Sequence, residues 1–301
     1  MENILLIIAC IFAGYLLKKT PFFNRESSSV LNRLIIYFFI PLIAIYQVPK
    51  IEFEPSLIWL TLCPFIIFIV NFIFFQIIGP LVKIERETKA SLILTAGIGS
   101  TSFVGFPIFE LLYGEIGLAY GILMSLGGTI LVFNTLGIST LFYYSEDRLN
   151  FLDILKKILR FIPFIAFILG VLFNIFDVIY SPMIDKLLSK LTSPFSIIAL
   201  ISIGMQLEFN IPKKMIRYLL LGQFCKLILA PLIIYFLLWQ YFDIQNVLGK
   251  ICILGAAIGS MNAMSILTAE KKLNPDLSIL MPAVGIPISI PILFIIDQFL
   301  K

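Results

Sequence analysis

The sequence predicts an all-α membrane protein with ten transmembrane helices, built as two inverted five-helix repeats in which helices 4 and 9 are discontinuous. Three observations lead there. Of 301 residues, 60% are hydrophobic and 13% charged, about half the charged share that covers a soluble domain. The apolar residues fall into ten runs joined by short loops. Blocks of the first half also recur in the second at a nearly constant offset.

A bilayer core about 30 Å thick calls for about 20 apolar residues per helix. The runs at 3–17, 28–49, 56–82, 90–112, 116–144, 161–180, 191–208, 216–239, 246–269 and 275–299 are read as the spans. The first opens with Met1-Glu2 and is followed by Lys18-Lys19 rather than by a small-residue cleavage site, so it reads as a span and not a signal peptide. Loops after odd-numbered spans carry fifteen Lys and Arg: Lys18, Lys19 and Arg25; Lys83, Arg86 and Lys89; Arg148, Lys156, Lys157 and Arg160; Lys213, Lys214 and Arg217; Lys271 and Lys272. Those after even-numbered spans carry four: Lys50, Lys186, Lys190 and Lys250. The bias puts the odd loops in the cytoplasm and both termini outside a multi-pass cell-membrane protein.

Residues 1–150 form the first five-helix repeat and 151–301 the second, with no soluble domain. Ile93-Leu94-Thr95-Ala96-Gly97-Ile98-Gly99-Ser100 matches Ile253-Leu254-Gly255-Ala256-Ala257-Ile258-Gly259-Ser260 at six of eight positions, 160 residues apart. At an offset of 157, Leu31-Asn32-Arg33-Leu34 pairs with Leu188-Ser189-Lys190-Leu191, Ile122-Leu123-Met124 and Gly128 with Ile279-Leu280-Met281 and Gly285, and Ile8-Ala9 with Ile165-Ala166. Five spans per half invert the second copy in the membrane, the arrangement of many secondary transporters.

Span 4 contains Gly99-Ser100-Thr101-Ser102-Phe103-Val104-Gly105-Phe106-Pro107, and span 9 the equivalent Gly259-Ser260-Met261-Asn262-Ala263. Glycine, hydroxyl residues and proline weaken a helix at both places, less so in span 9, which has no proline there. The plain alternative is two kinked helices packed through small residues. Paired breaks would start a half-helix in each span with free N–H groups and a positive dipole end. Pro107 suits the first position of such a half-helix. Gly99, Ser100, Thr101, Ser102, Gly105, Pro107, Gly259, Ser260 and Asn262 are therefore the candidate binding residues. An anion would meet the N-terminal ends, a cation the opposed carbonyl ends, and the residues alone leave the sign open.

The absence of histidine removes Ser-His and Cys-His catalysis and His-ligated metal. Cys10, Cys63, Cys225 and Cys252 stand singly in apolar runs and read as packing residues. No catalytic residue, metal or cofactor is assigned, and no basic stripe suits a nucleic acid. Lys226 lies mid-span, where a lysine costs ~2.5–3.5 kcal/mol. It reads as a substrate counter-charge, with a structural pair or a snorkelling side chain as the alternatives. Glu110, Asp177 and Asp297 lie toward outer span ends and read as solvated. Asn71, Asn134, Asn174 and Gln206 read as interhelical hydrogen-bonders, Gln206 also as a site residue.

The order of ten spans, Leu31-Asn32-Arg33-Leu34 leading to Pro41, Gly105-Phe106-Pro107, and Ser202-Ile203-Gly204-Met205-Gln206-Leu207 resemble the auxin efflux carrier family over essentially the whole chain. That family includes plant auxin exporters and prokaryotic carriers of malonate-like carboxylates. The resemblance implies a scaffold part and a transport part with crossing spans 4 and 9, and an organic anion as substrate. It departs where Ser100 and Ser102 replace the usual Asn and Gly, and where span 9 lacks the usual proline. The function expected is secondary transport of a small organic anion by alternating access, as efflux or driven by the membrane potential, with the lipid bilayer and a homodimer as surroundings. A sodium-coupled symporter of the bile-acid type, with Na+ as coupling ion, is the alternative; a membrane enzyme or a channel fits less well.

Overall fold

The computed structural model describes residues 2–23, 25–145, 156, 158–207 and 212–301, and these fold into helices and short connections. The proposed boundary between the halves, Arg148 and Lys157 lie outside the described residues. In chain order the helices are α1 (Glu2–Lys18), α2 (Ser27–Lys50), α3 (Pro55–Leu81), α4 (Arg86–Gly97), α5 (101–113) and α6 (115–145). They continue with α7 (Ile162–Ile175), α8 (Pro182–Gln206), α9 (Ile216–Tyr241), α10 (Val247–Ala256), α11 (Asn262–Glu270) and α12 (Pro275–Phe299). Among the described residues, six stretches are long and apolar enough to cross a membrane: α2, α3, α5 with α6, α8, α9 and α12. The chain reverses between α5 and α6 at Gly114, whose φ of 65° and ψ of −150° suit only a residue without Cβ.

Large apolar side chains face outward, as on α3, where Ile69, Ile73 and Ile77 are exposed at helical spacing. Such a stripe suits lipid rather than water. An all-helical membrane protein is therefore what the composition predicted, with two boundaries moved. α7 ends at Ile175, short of 180, because Asp177 turns left-handed (φ 49°) and the Asn174 amide is taken by the Val48, Pro49 and Ile51 carbonyls. α8 starts at Pro182, ahead of 191, capped by Ser181 Oγ on Ile184 N–H. Its first turns carry exposed Lys186 and Lys190, which hid them from a search for apolar runs.

Three prolines shape the helices they sit in. A proline ring clashes with the carbonyl four residues earlier. Ahead of Pro41, Pro107 and Pro231 the helix opens into a wide i→i+5 turn at Ile35–Phe39, Thr101–Gly105 and Cys225–Leu229. Each turn holds the residue four before its proline: Tyr37, Phe103 and Leu227. One inserted residue turns the following face by about 100°.

The helices pack as two groups. α1 lies along the second half of α8, and α7 along α2, with α2 also on α8. The remaining helices surround α4, α5, α10 and α11. In the first group the backbones nearly touch: a Cβ on Gly14 would stand 2.0 Å from the Ile201 carbonyl oxygen, and one on Gly204 2.0 Å from that of Ile11. Gly170 meets the Ala44 carbonyl likewise, at 2.8 Å. Gly204→Leu is therefore expected to destabilise the purified protein by ~1–3 kcal/mol or more, the range typical of overpacking, read as a lower melting temperature. An unchanged melting temperature would contradict the close crossing of α1 and α8.

Candidate functional site

Two helices end in the interior and two begin there. α4 stops at Gly97, and Ile98 is extended (φ −124°, ψ 118°). α10 stops at Ala256 and α11 resumes at Asn262. Unwound backbone buried in protein must find its partners there. The two unwound segments supply each other: Ser100 N–H donates to Gly259 O and Met261 N–H to Ile98 O, both at 2.9 Å, forming an antiparallel bridge between Gly99 and Ser260. The break in α10–α11 is thus as complete as the other, although no proline marks it. In the α4–α5 stretch the break precedes Pro107, which is the second residue of the regular helix after the wide turn 101–105.

The first intrahelical bond of α5 is Val104 N–H to Ser100 O (3.0 Å), and that of α11 is Ser265 N–H to Met261 O (3.2 Å). The amides of Thr101, Ser102 and Phe103, and of Asn262, Ala263 and Met264, are the orphan donors of two helix starts. Five of those six residues line a cavity of about 320 Å³ together with Gly99 and Ser100. Its far wall is α6, which contributes Ser125 and Thr129, and its rim comes from α2 and α7. Hydroxyls pair across it: Ser102 with Ser125 at 2.6 Å and Thr101 with Thr129 at 2.9 Å. A second cavity of about 460 Å³ lies between the two helix groups, lined by Lys18, Asn32, Gln206, Asn262 and the first half of α12. Phe103 and Asn262 border both.

The predicted site residues divide accordingly. Gly99, Ser100, Thr101, Ser102 and Asn262 line the first cavity, and Gln206 with Asn262 the second. Gly105, Pro107, Gly259 and Ser260 line neither of the two cavities. A Cβ on Gly105 would come 2.8 Å from Ile258 Cδ1, and one on Gly259 2.6 Å from Ile286 N, so these glycines let the crossing close. The Ser260 hydroxyl is buried without a hydrogen-bond partner among the described residues. Lys226 is 1% exposed, buried behind Gly99 rather than lining either large cavity. Sequence reasoning missed Ser125 and Thr129, though they flank Gly128 in a block that repeats.

Asn32, not among the predicted site residues, joins a chain of polar groups. Ser202 Oγ donates to Asn32 Oδ1 (2.6 Å), Gln206 Nε2 donates to the Ser202 carbonyl (3.0 Å), and Asn262 Nδ2 donates to Gln206 Oε1 (2.8 Å). The chain ties α2 and α8 of one group to the start of α11 in the other. Asn174 also bonds between helices, whereas Asn71 and Asn134 donate to Ile67 O and Ile130 O of their own helices. Two carboxylates expected to be solvated are not. Asp297 is 2% exposed, accepts from Tyr113 and pairs with Lys301 at 3.1 Å, and half-buried Glu110 accepts from Ser196. Packing against distant helices buries both. Asp177 is exposed, as predicted.

Residues 1–151 match the sequence profile of a family described as membrane transport protein. The chain is 26% identical to an uncharacterized transporter of Methanocaldococcus jannaschii over 238 residues, 77% of this chain and 76% of that one. It is 24% identical to an uncharacterized transporter of Methanothermobacter thermautotrophicus over 287 residues, 92% of this chain and 90% of that one.

Asn262→Ala and Gln206→Ala each leave a polar partner unpaired between the helix groups. Their stability losses are expected to couple by about 0.5–1.5 kcal/mol in a double-mutant cycle read by thermal unfolding. Simple additivity would contradict the bond between them.

Proposed function

Because this chain belongs to the membrane transport protein family, we propose that it is a secondary transporter moving a small organic anion across the cell membrane by alternating access. The observation that carries this reading is the cavity at the crossing. Two helix starts bring orphan N–H groups and positive dipole ends to its wall, and Ser100, Thr101, Ser102, Ser125, Thr129 and Asn262 add polar groups. Oriented amides and hydroxyls at helix starts bind carboxylates well. Apart from Tyr37 and Asn134, the rest of that cavity is largely apolar, with Ile36, Ile40, Phe103 and Phe133 suited to the hydrocarbon part of an organic acid.

In this reading the chain crosses the membrane ten times, as two inverted repeats. α4 with α5 makes the fourth crossing and α10 with α11 the ninth. The packing supports it. α1 meets α8 at Gly14 and Ile201, while α7 meets α2 at Gly170 and Ala44, contacts related by offsets of 156 and 157 residues. Those four helices are the scaffold, and the others carry the crossing past it. The lysine bias turns the Lys18 end of the molecule to the cytoplasm, so the cavity that Lys18 lines faces inward. A monoanion leaving a cell that is negative inside gains ~2.3 kcal/mol per 100 mV, a driving force for efflux. Sodium-coupled symport is not favoured. Among the described residues, no carboxylate lines the cavity at the crossing to hold such an ion.

The test is ligand-dependent thermal unfolding of purified protein with mono- and dicarboxylates, with and without Na+. A carboxylate at a hundred times its Kd adds about 2.7 kcal/mol of stability, and this is expected in Na+-free buffer. Stabilisation that needs Na+, or that neutral analogues of the acids match, would overturn the reading.

A further inference from the structure

The charge of Lys226 has no use in the fold. Its side chain is 1% exposed, and among the described residues it makes neither an ion pair nor a hydrogen bond. Among the described residues the only other charged side chain that deeply buried, Asp297, is neutralised by Lys301. An ammonium kept in the membrane interior without a partner is costly and marks a functional charge.

Its position is specific. The wide turn before Pro231 sets Lys226 on the face of α9 toward the crossing. A Cβ on Gly99 would stand 3.1 Å from Lys226 Nζ and 3.4 Å from the Ile258 carbonyl oxygen. A small void of about 10 Å³ joins Lys226 to Gly99, Thr101 and Thr129, which also line the 320 Å³ cavity. A single layer of backbone and hydroxyls thus separates the ammonium from the cavity. The N–H ends of α5 and α11 favour an anion at the crossing, and the lysine adds a full positive charge behind them. Glu110 is roughly 14 Å along α5 from Thr101, toward the end of the molecule.

Resting on the alternating-access reading above, we propose that Lys226 is the resident charge of the moving part. The carrier then crosses the membrane field electrically neutral when it holds a monovalent organic anion, and as a monovalent cation when empty. Attraction across that single layer strengthens the binding of the anion. The membrane potential acts on the return of the empty carrier, which a negative interior draws inward, and spares the loaded step.

The test needs no organic anion. Protein reconstituted in a planar bilayer is stepped between 0 and about −100 mV in its absence. The wild type is expected to show a transient displacement current of up to one elementary charge per protein, retained in Lys226→Arg and lost in Lys226→Gln and Lys226→Met. Alternating access is followed separately by labelling Ala263→Cys, at the exposed edge of the cavity, with an impermeant maleimide from each side. Labelling from both sides without charge movement in the wild type, or with charge movement that survives in Lys226→Gln, overturns the assignment of the charge. Labelling from one side only overturns alternating access, and the inference falls with it.

Discussion

A peptide group unwound in a protein's interior has little water to bond to, so it must find its partner in the protein. In this chain two such segments find it in each other. The bonds from Ser100 N–H to Gly259 O and from Met261 N–H to Ile98 O hold the ends of α4 and α10 against each other. They fix where α5 and α11 begin. The cavity, its hydroxyl wall and the position of Lys226 all follow from where those four helix ends meet. Each segment is tolerable only because the other is present, which is why the breaks come as a pair.

The crossing makes demands on its neighbours. It closes because Gly105 and Gly259 bring no side chain to the contact, against Ile258 and the backbone of α12. The hydroxyls of Ser102 and Thr101 are satisfied by Ser125 and Thr129, so α6 must stay beside α5. Contacts between the two helix groups are sparser and include single polar links: Asn262 to Gln206, and Ser196 to Glu110. Few strong bonds therefore hold the two groups to each other.

Much of this was legible in the sequence, for a physical reason. Unwinding depends on backbone-permissive residues, so Gly99-Ser100 and Gly259-Ser260 stand out in one dimension. Prolines announce themselves too, although Pro107 acts one turn upstream, on the wide turn at 101–105, rather than opening the half-helix. Side-chain partners were not legible. Asp297 meets Tyr113 and Asn32 meets Ser202 across more than 150 residues of sequence, and only packing decides such pairs. Lys226 could be recognised as out of place, but its seat behind Gly99 depends on a turn widened by Pro231 and on the path of α4 beside α9.

The fold around the site stands on the bonding of the two unwound segments to each other beside a cavity. Residue-resolved hydrogen–deuterium exchange on the protein in lipid nanodiscs tests it most directly, at the amides of Ser100 and Met261. Both lie outside regular helix, yet the account predicts exchange as slow as that of the helical amides of α4 and α10. Exchange at the rate of the exposed loops, in either amide, would show the segments unpaired and contradict the account.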